Sequence, residues 1–390
     1  NFNNMAPEKP SKYNKKDNKY VYIFVLGRDP GLSFAELVMY FKDSQQPTLL
    51  DQSAQAVLLS FDDPINTQKT IKALGGTAKI AELITKDGPE TEHDLMTFFN
   101  DQYFESKCNW GVSYYHSKPS QTLIEQLKEL FRHHHYKAQQ KRPQSDQQFR
   151  PQESKKKRLI EFLVFKEYIG ITKAITDSAS YAKRDENRPV FDPKSVISIR
   201  LAKIMINLAG TIKDDILLDP FCGTGTILQE ASLQGINVIG IDKEIKSAKR
   251  NLKWLAKQKK IQYQLFEGDS RSIRNIIKKS VDVIVTEPYL GPYMRGTISK
   301  TKAEEVTLSL RRMYESFLEN VHSKVKKRIC IIIPIIKTRK KSYMLGFSKL
   351  LKRTNFELEP SIRQPFTLKG KYIDRQIYVL VPILNKKVYR

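Results

Sequence analysis

Ile216-Leu217-Leu218-Asp219-Pro220-Phe221-Cys222-Gly223-Thr224-Gly225-Thr226 is the stretch whose reading decides the fold. A short apolar run closes on a carboxylate, turns through two glycines and enters a helix that ends at Gly235. Such a run reads as a buried parallel strand. Gly223 and Gly225 let backbone N–H groups approach a ligand closely. The arrangement recurs downstream: Val238-Ile239-Gly240-Ile241 ends on Asp242, Gln264-Leu265-Phe266-Glu267-Gly268 on Asp269, and Val283-Ile284-Val285-Thr286 on Glu287. In an open α/β sheet, ligands bind just beyond the carboxyl ends of the strands. Four acidic side chains delivered there in succession describe a site.

The same residues limit the ligand. A dinucleotide fingerprint needs a third glycine where Leu228 stands, and the Gly-Lys-Ser/Thr of a P-loop is missing. Asp219 is a poor neighbour for phosphate and a good one for an ammonium. Asp242 follows about twenty residues on, where an acidic side chain accepts hydrogen bonds from ribose hydroxyls. Asp269 closes the third strand, placed for an adenine amino group. A cationic adenosine that bears an amino acid and no phosphate is S-adenosylmethionine, the expected cofactor. Each acidic residue taken singly also reads as a helix N-cap; their joint order and spacing favour the site.

Outward from this core, 390 residues exceed what one hydrophobic core usually serves, which predicts two or three domains. Residues 1–18 are polar and read as a disordered basic tail. Residues 19–92 read as a small β-α-β-α-β domain of ferredoxin-like type. Its strands are Tyr20–Leu26, Ala56–Phe61 and Ala78–Leu83, and its first helix opens on a Ser33/Glu36 capping box. Residues 93–181 carry the strand Trp110–Tyr115, an amphipathic helix over Thr122–Arg132 and the strand Leu159–Phe165. Between them Lys137–Arg158 is rich in Gln, Lys and Arg and is predicted to be a mobile basic loop. The third segment, 182–390, starts a helix at Asp192-Pro193, alternates strands and helices from Ile216 to Ile336, and finishes on a hairpin formed by Phe356–Glu359 and Tyr372–Pro382.

Composition narrows the partners. A formal charge of +25 suits a polyanion, nucleic acid first. Arg142, Arg150 and Lys155–Arg158, with Arg295, Lys300, Lys302, Arg311, Arg312 and the Lys337–Lys341 cluster, offer a phosphate-contacting track. Three cysteines are too few and too scattered for a disulfide framework or a zinc site, and the adjacent His133, His134 and His135 cannot all face one ion from a helix. The longest apolar stretch, Ile329–Ile336, is far short of a membrane span. No signal peptide is visible, and the expected compartment is the cytoplasm. The chain opens on Asn1, which leaves open an earlier start or initiation at Met5.

These motifs carry a family resemblance. Asp219–Gly225 resembles the first motif of the amino-group methyltransferases that modify RNA, and Thr286–Gly291 sits where that family shows Asp/Asn-Pro-Pro-Tyr. The segment Arg184-Asp185, Arg188-Pro189, Asp192, Leu201-Ala202 and Ile206-Asn207-Leu208-Ala209 is similar to the entry into the catalytic domain of the tRNA guanine-N2 methyltransferases acting at position ten. Leu26–Pro30, Ala35–Leu37 and Leu74–Ile80 resemble the same enzymes' N-terminal domain, and Trp110–Ile175 their THUMP RNA-binding domain. The resemblance implies an α/β, Rossmann-like methyltransferase domain behind ferredoxin-like and THUMP-like α/β domains. It implies methyl transfer to N2 of a tRNA guanosine, with tRNA as partner and no metal. Asp219, Gly223 and Gly225 would hold the methionine moiety, Asp242 the ribose and Asp269 the adenine, with Phe221 also binding the cofactor; Glu287, Pro288 and Tyr289 would hold and activate the base.

Aligned without gaps, Glu287 takes the acidic or amide position, Tyr289 that of the second proline and Leu290 that of the aromatic residue. A shift by one would pair Pro288-Tyr289 with Pro-Tyr and leave Thr286 at the acidic position; the gapless version is preferred because Gly291 then matches. The alternatives are amino-methyl transfer to rRNA, DNA adenine or a protein glutamine, and a non-catalytic protein that binds cofactor and RNA. A small activating partner subunit and the oligomeric state are left open.

Overall fold

The computed structural model describes residues 19–144, 147–192, 197–362 and 364–383. The tail read over residues 1–18 lies outside the described residues. The chain divides into two compact units, Asn1–Lys183 and Arg184–Arg390.

In the first unit β1 (Tyr20–Leu26), α1 (Pro30–Phe41), β2 (Thr48–Gln52), β3 (Ala56–Phe61), α2 (Thr67–Ala73) and β4 (Thr77–Lys86) follow one another. Then come α3 (Thr91–Asp101), β5 (Lys107–Tyr115), α4 (Gln121–His133), β6 (Lys137–Gln140), α5 (Pro151–Lys156), β7 (Leu159–Phe165) and β8 (Tyr168–Ile175). The sequence reading missed β2 and β8. β2 is a partly exposed edge strand with Asp51 and Gln52 in it, so it shows no apolar alternation. The strands form one sheet in the order β2-β3-β1-β4-β8-β7-β5-β6. The two segments expected as separate domains therefore share a sheet: β4 pairs antiparallel with β8 from Lys79↔Ile175 to Lys86↔Tyr168, which covers an edge that would otherwise be open.

Two local expectations fail here for stated reasons. The Ser33/Glu36 capping box does not form. α1 starts earlier, at Pro30, Ser33 Oγ donates to the Asp29 carbonyl, and the buried Glu36 carboxylate instead accepts from Gly75 N–H and Gly76 N–H, both at 2.7 Å. A Cβ at Gly76 would lie 2.7 Å from Ser33 Oγ, so the glycine is required by this close approach. The basic stretch Lys137–Arg158 is also no loop throughout. It contributes β6, parallel to β5, and α5, and it buries Phe149 to 1% exposure against Gly111. Under it, Lys79 Nζ donates to the Phe149 carbonyl and to Glu161, and Ser113 and Ser154 complete the buried network. One aromatic and one buried ion pair anchor a segment whose composition is otherwise that of a solvated coil.

α6 (Ser178–Asn187) leads into the second unit. There α7 (Ile199–Leu208) is capped by Ser198, whose side chain accepts from Leu201 N–H. The helix start read at Asp192-Pro193 is thus displaced; Pro193 and Val196 lie outside the described residues. β9 (Ile216–Asp219), α8 (Thr226–Leu233), β10 (Asn237–Asp242), α9 (Lys246–Ala256) and β11 (Tyr263–Glu267) alternate, followed by α10 (Ile273–Ile276), β12 (Val281–Thr286), α11 (Lys300–Val321) and β13 (Val325–Lys337). The chain closes with β14 (Ser342–Met344), α12 (Phe347–Thr354), β15 (Phe356–Leu358), β16 (Phe366–Leu368) and β17 (Ile373–Pro382).

The sheet order is β11-β10-β9-β12-β13-β17-β15. β11, β10, β9, β12 and β13 run parallel, and β17 is antiparallel to both β13 and β15. Leu218, Ile284 and Ile329 are fully buried, as strands covered on both faces require. The chain order reverses direction across the sheet at β9, which leaves β9 between β10 and β12 with their carboxyl ends together. That is a topological switch point, the place where open α/β sheets bind ligands. No helix among the described residues is long and apolar enough to cross a membrane.

Candidate active site

The site forms at the ends of β9, β10 and β12. Asp219 is the last residue of β9 and only 2% exposed. Its Oδ1 accepts from Phe221 N–H at 3.2 Å and from the Thr286 hydroxyl at 2.7 Å. The second bond ties the end of β9 to the end of β12. Burial pushes the Asp219 carboxyl up to about 7, against the lowering effect of Thr286 and Phe221 N–H. Among the described residues, no cation lies within ion-pair distance of it.

Asp242 ends β10 and bridges two loops: Gly223 N–H donates to Oδ2 at 2.8 Å and Glu244 N–H to Oδ1 at 3.2 Å. Gly223 (φ 49°) and Gly225 (φ 80°) are left-handed, the region that disfavours any side chain. A Cβ at Gly223 would meet nothing within 4 Å, so the loop is open on that side. Gly225 caps α8 and would meet Ala248 at 3.4 Å. Asp219, Gly223, Gly225 and Asp242 thus come together around one loop. Phe221 does not join them through its ring, which packs edge-on against Phe317 in the core at 5.4 Å between centroids. Only its backbone N–H faces the turn.

Asp269 lies two residues beyond β11 and caps the turn at Ser270–Ser272. Arg271 grips it through Nε at 3.0 Å and Nη2 at 2.6 Å, with Lys243 at 3.5 Å. These cations hold its carboxyl well below the usual range.

After Thr286 the chain turns. The Glu287 side chain is 12% exposed, and burial raises its carboxyl pKa, partly offset by Arg375. Arg375 Nε on β17 stands 3.1 Å from Glu287 Oε1 as an ion pair but off the line of a hydrogen bond, so Oε1 is buried without a donor among the described residues. Pro288 is buried and Tyr289 is 57% exposed. The Tyr314 hydroxyl of α11 donates to the Ile332 carbonyl at 3.2 Å and reaches the Tyr289 carbonyl at 3.5 Å, which fixes the turn from within. Gly291 follows at φ 113°.

Two supporting residues, Asn251 and Arg375, escaped the sequence reading, and two that it named, Arg188 and Thr286, were given no supporting role there. Asn251 is fully buried on α9; its amide donates to the carbonyls of Val190 and Thr224, and its oxygen accepts from Val190 N–H. Arg188 Nη1 donates to Thr226 Oγ1 at 2.8 Å. Together they staple the segment before α7 to the glycine loop. Asn251 stands among lysines and gives no sign of burial; Arg188 was singled out only as part of a motif. The bond from Thr286 to Asp219 and the place of Arg375 are visible only once the strands are placed side by side.

The second unit has the Rossmann-like fold of methyltransferases. A family model described as an RMKL-like methyltransferase domain matches residues 186–356, and one described as a DNA methylase matches residues 4–253. The crystal structure of TrmN from Thermus thermophilus superposes with a TM-score of 0.50 at 15% identity, covering 93% of this chain and 99% of that one. The tRNA (guanine(10)-N2)-dimethyltransferase of Methanothermobacter thermautotrophicus is 35% identical over 153 residues, which is 39% of this chain and 42% of that protein. A probable tRNA (guanine(10)-N2)-dimethyltransferase of Methanothermococcus thermolithotrophicus is 36% identical over 121 residues, 27% of this chain and 68% of that protein. The chain belongs to the tRNA (guanine(10)-N2)-dimethyltransferase family. The match spans less than half the length of the first of these relatives.

Proposed function

We propose that this protein transfers methyl from S-adenosylmethionine to the exocyclic N2 amine of a guanosine in tRNA, at position ten. The observation that carries the reading is the buried Asp219, without a cation in range among the described residues, beside the open Gly223–Gly225 loop. An ionised carboxylate there has two neutral donors and, among the described residues, no cationic partner; an ammonium supplies one. The residues fit the cofactor: Asp219 and the glycine loop for the methionine end, Asp242 for the ribose. Asp269 would accept from the adenine amine only by sharing its carboxylate with Arg271. When bound, the cofactor supplies a sulfonium methyl, an electrophile open to in-line displacement.

This chain's own part is orientation and proton acceptance. The amine lone pair is delocalised into the guanine ring, so the amine must be held and its hydrogen taken up. Among the described residues Glu287 Oε1 is an acceptor without a donor, and the carbonyls around Pro288 add a second anchor. The exposed Tyr289 is available to stack on the base, worth about 1–3 kcal/mol.

The first unit would bind the RNA. Its strand order β2-β3-β1-β4 over a β-α-β-β-α-β chain supports the ferredoxin-like reading, and its β5–β8 half stands as the THUMP-like part. The charge of +25 favours a polyanionic substrate, and three free cysteines suit a cytoplasmic protein. The DNA-methylase match gives a second acceptor, DNA adenine, something behind it. Incubation of the protein with labelled cofactor and either unmodified tRNA or duplex DNA separates them: label in tRNA alone is expected, and label in DNA alone would overturn the reading.

A further inference from the structure

We propose that Arg375 is a positioning residue that holds the Glu287 carboxylate charged at the site, with its buried Oε1 left without a donor from the described residues. The inference rests on the functional reading above. Register places Arg375 there: it pairs with Pro334 on β13, three residues past Ile331, the partner of Thr286. The guanidinium therefore stands just beyond the end of β12, where the chain turns through Glu287.

The geometry is not that of a stabilising clamp. Arg375 is 39% exposed while Glu287 is 12% exposed, and Nε approaches Oε1 at 3.1 Å without aligning to donate. A buried acceptor is ordinarily satisfied, and one left without a donor calls for an explanation. An exocyclic amine brings two N–H donors to this spot. The other groups that face Glu287 are Asp219 from β9 and Tyr314 from α11, one acidic and one neutral. Among the described residues, Arg375 is thus the one cation in ion-pair range of Glu287. Without it, nothing offsets the burial that raises the Glu287 carboxyl beside Asp219, which favours the protonated form, and a carboxylic acid cannot accept a proton from the amine.

The test is the pH dependence of the turnover rate on tRNA, measured with the full chain for wild type, Arg375→Gln and Arg375→Lys. Calorimetric cofactor binding confirms that each variant is folded. The acid limb of Arg375→Gln is expected to move to higher pH, with little change in the Michaelis constant for cofactor, while Arg375→Lys keeps the limb near its wild-type position. A general base whose proton affinity rises loses rate first on the acid side. Active variants with superimposable profiles would overturn the inference and leave the functional reading intact. A wild-type protein that transfers no methyl to tRNA would overturn both.

Discussion

At the scale of single residues, Asp219 makes the sharpest statement. Its carboxyl titrates near 7 in the fold, against about 3.9 in an unfolded chain. Over that window the folded chain binds a proton that the unfolded chain has released. Stability from this group is therefore present below about pH 4 and is lost as pH rises toward 7. The unliganded wild type should lose more melting temperature between about pH 5 and about pH 7 than Asp219→Asn does; parallel curves for the two proteins would contradict the assignment. Asn keeps the shape but not the charge, so the variant should also bind S-adenosylmethionine more weakly by calorimetry. Tyr289→Ala, at an exposed position, should leave the unfolding free energy within about 0.5 kcal/mol of wild type and raise the Michaelis constant for tRNA. A change in cofactor affinity instead would move Tyr289 out of the base-binding role.

Among elements, the parallel strands and their acidic ends were legible because β-branched runs and a following carboxylate repeat in register with the chain. β9, β10 and β12 were readable to within a residue or two, and so was the glycine loop between β9 and α8. β6 and α5 were not, since one buried ring, Phe149, decides the packing of a stretch whose other side chains are polar. Phe149→Ala should cost about 3–5 kcal/mol of stability in the first unit and open residues 147–158 to proteolysis; an unchanged denaturation midpoint would show that the segment does not depend on that ring. Gly240 offers a parallel case in the second unit. A Cβ there would lie 2.6 Å from Leu228 and 2.8 Å from Leu265, so Gly240→Ala should destabilise by about 1–3 kcal/mol. The pairing of Arg375 with Glu287 and of Thr286 with Asp219 joins residues far apart in the chain. Such contacts exist only after the sheet order is known, which is why the acidic ends were readable and their partners were not.

For the whole molecule, charge and site point to the same class of substrate. With a charge of +25, affinity for tRNA should fall by about a hundredfold or more between roughly 50 and 200 mM salt; a flat response would remove phosphate contacts as the source of binding. The central claim is the identity of the methylated atom. Nucleoside mass spectrometry of unmodified tRNA, after incubation with the pure protein and S-adenosylmethionine, reads it directly. The predicted result is guanosine methylated on N2, mapped to position ten. Cofactor-dependent methyl found on any other base, or no methyl in the presence of measurable cofactor binding, would contradict it.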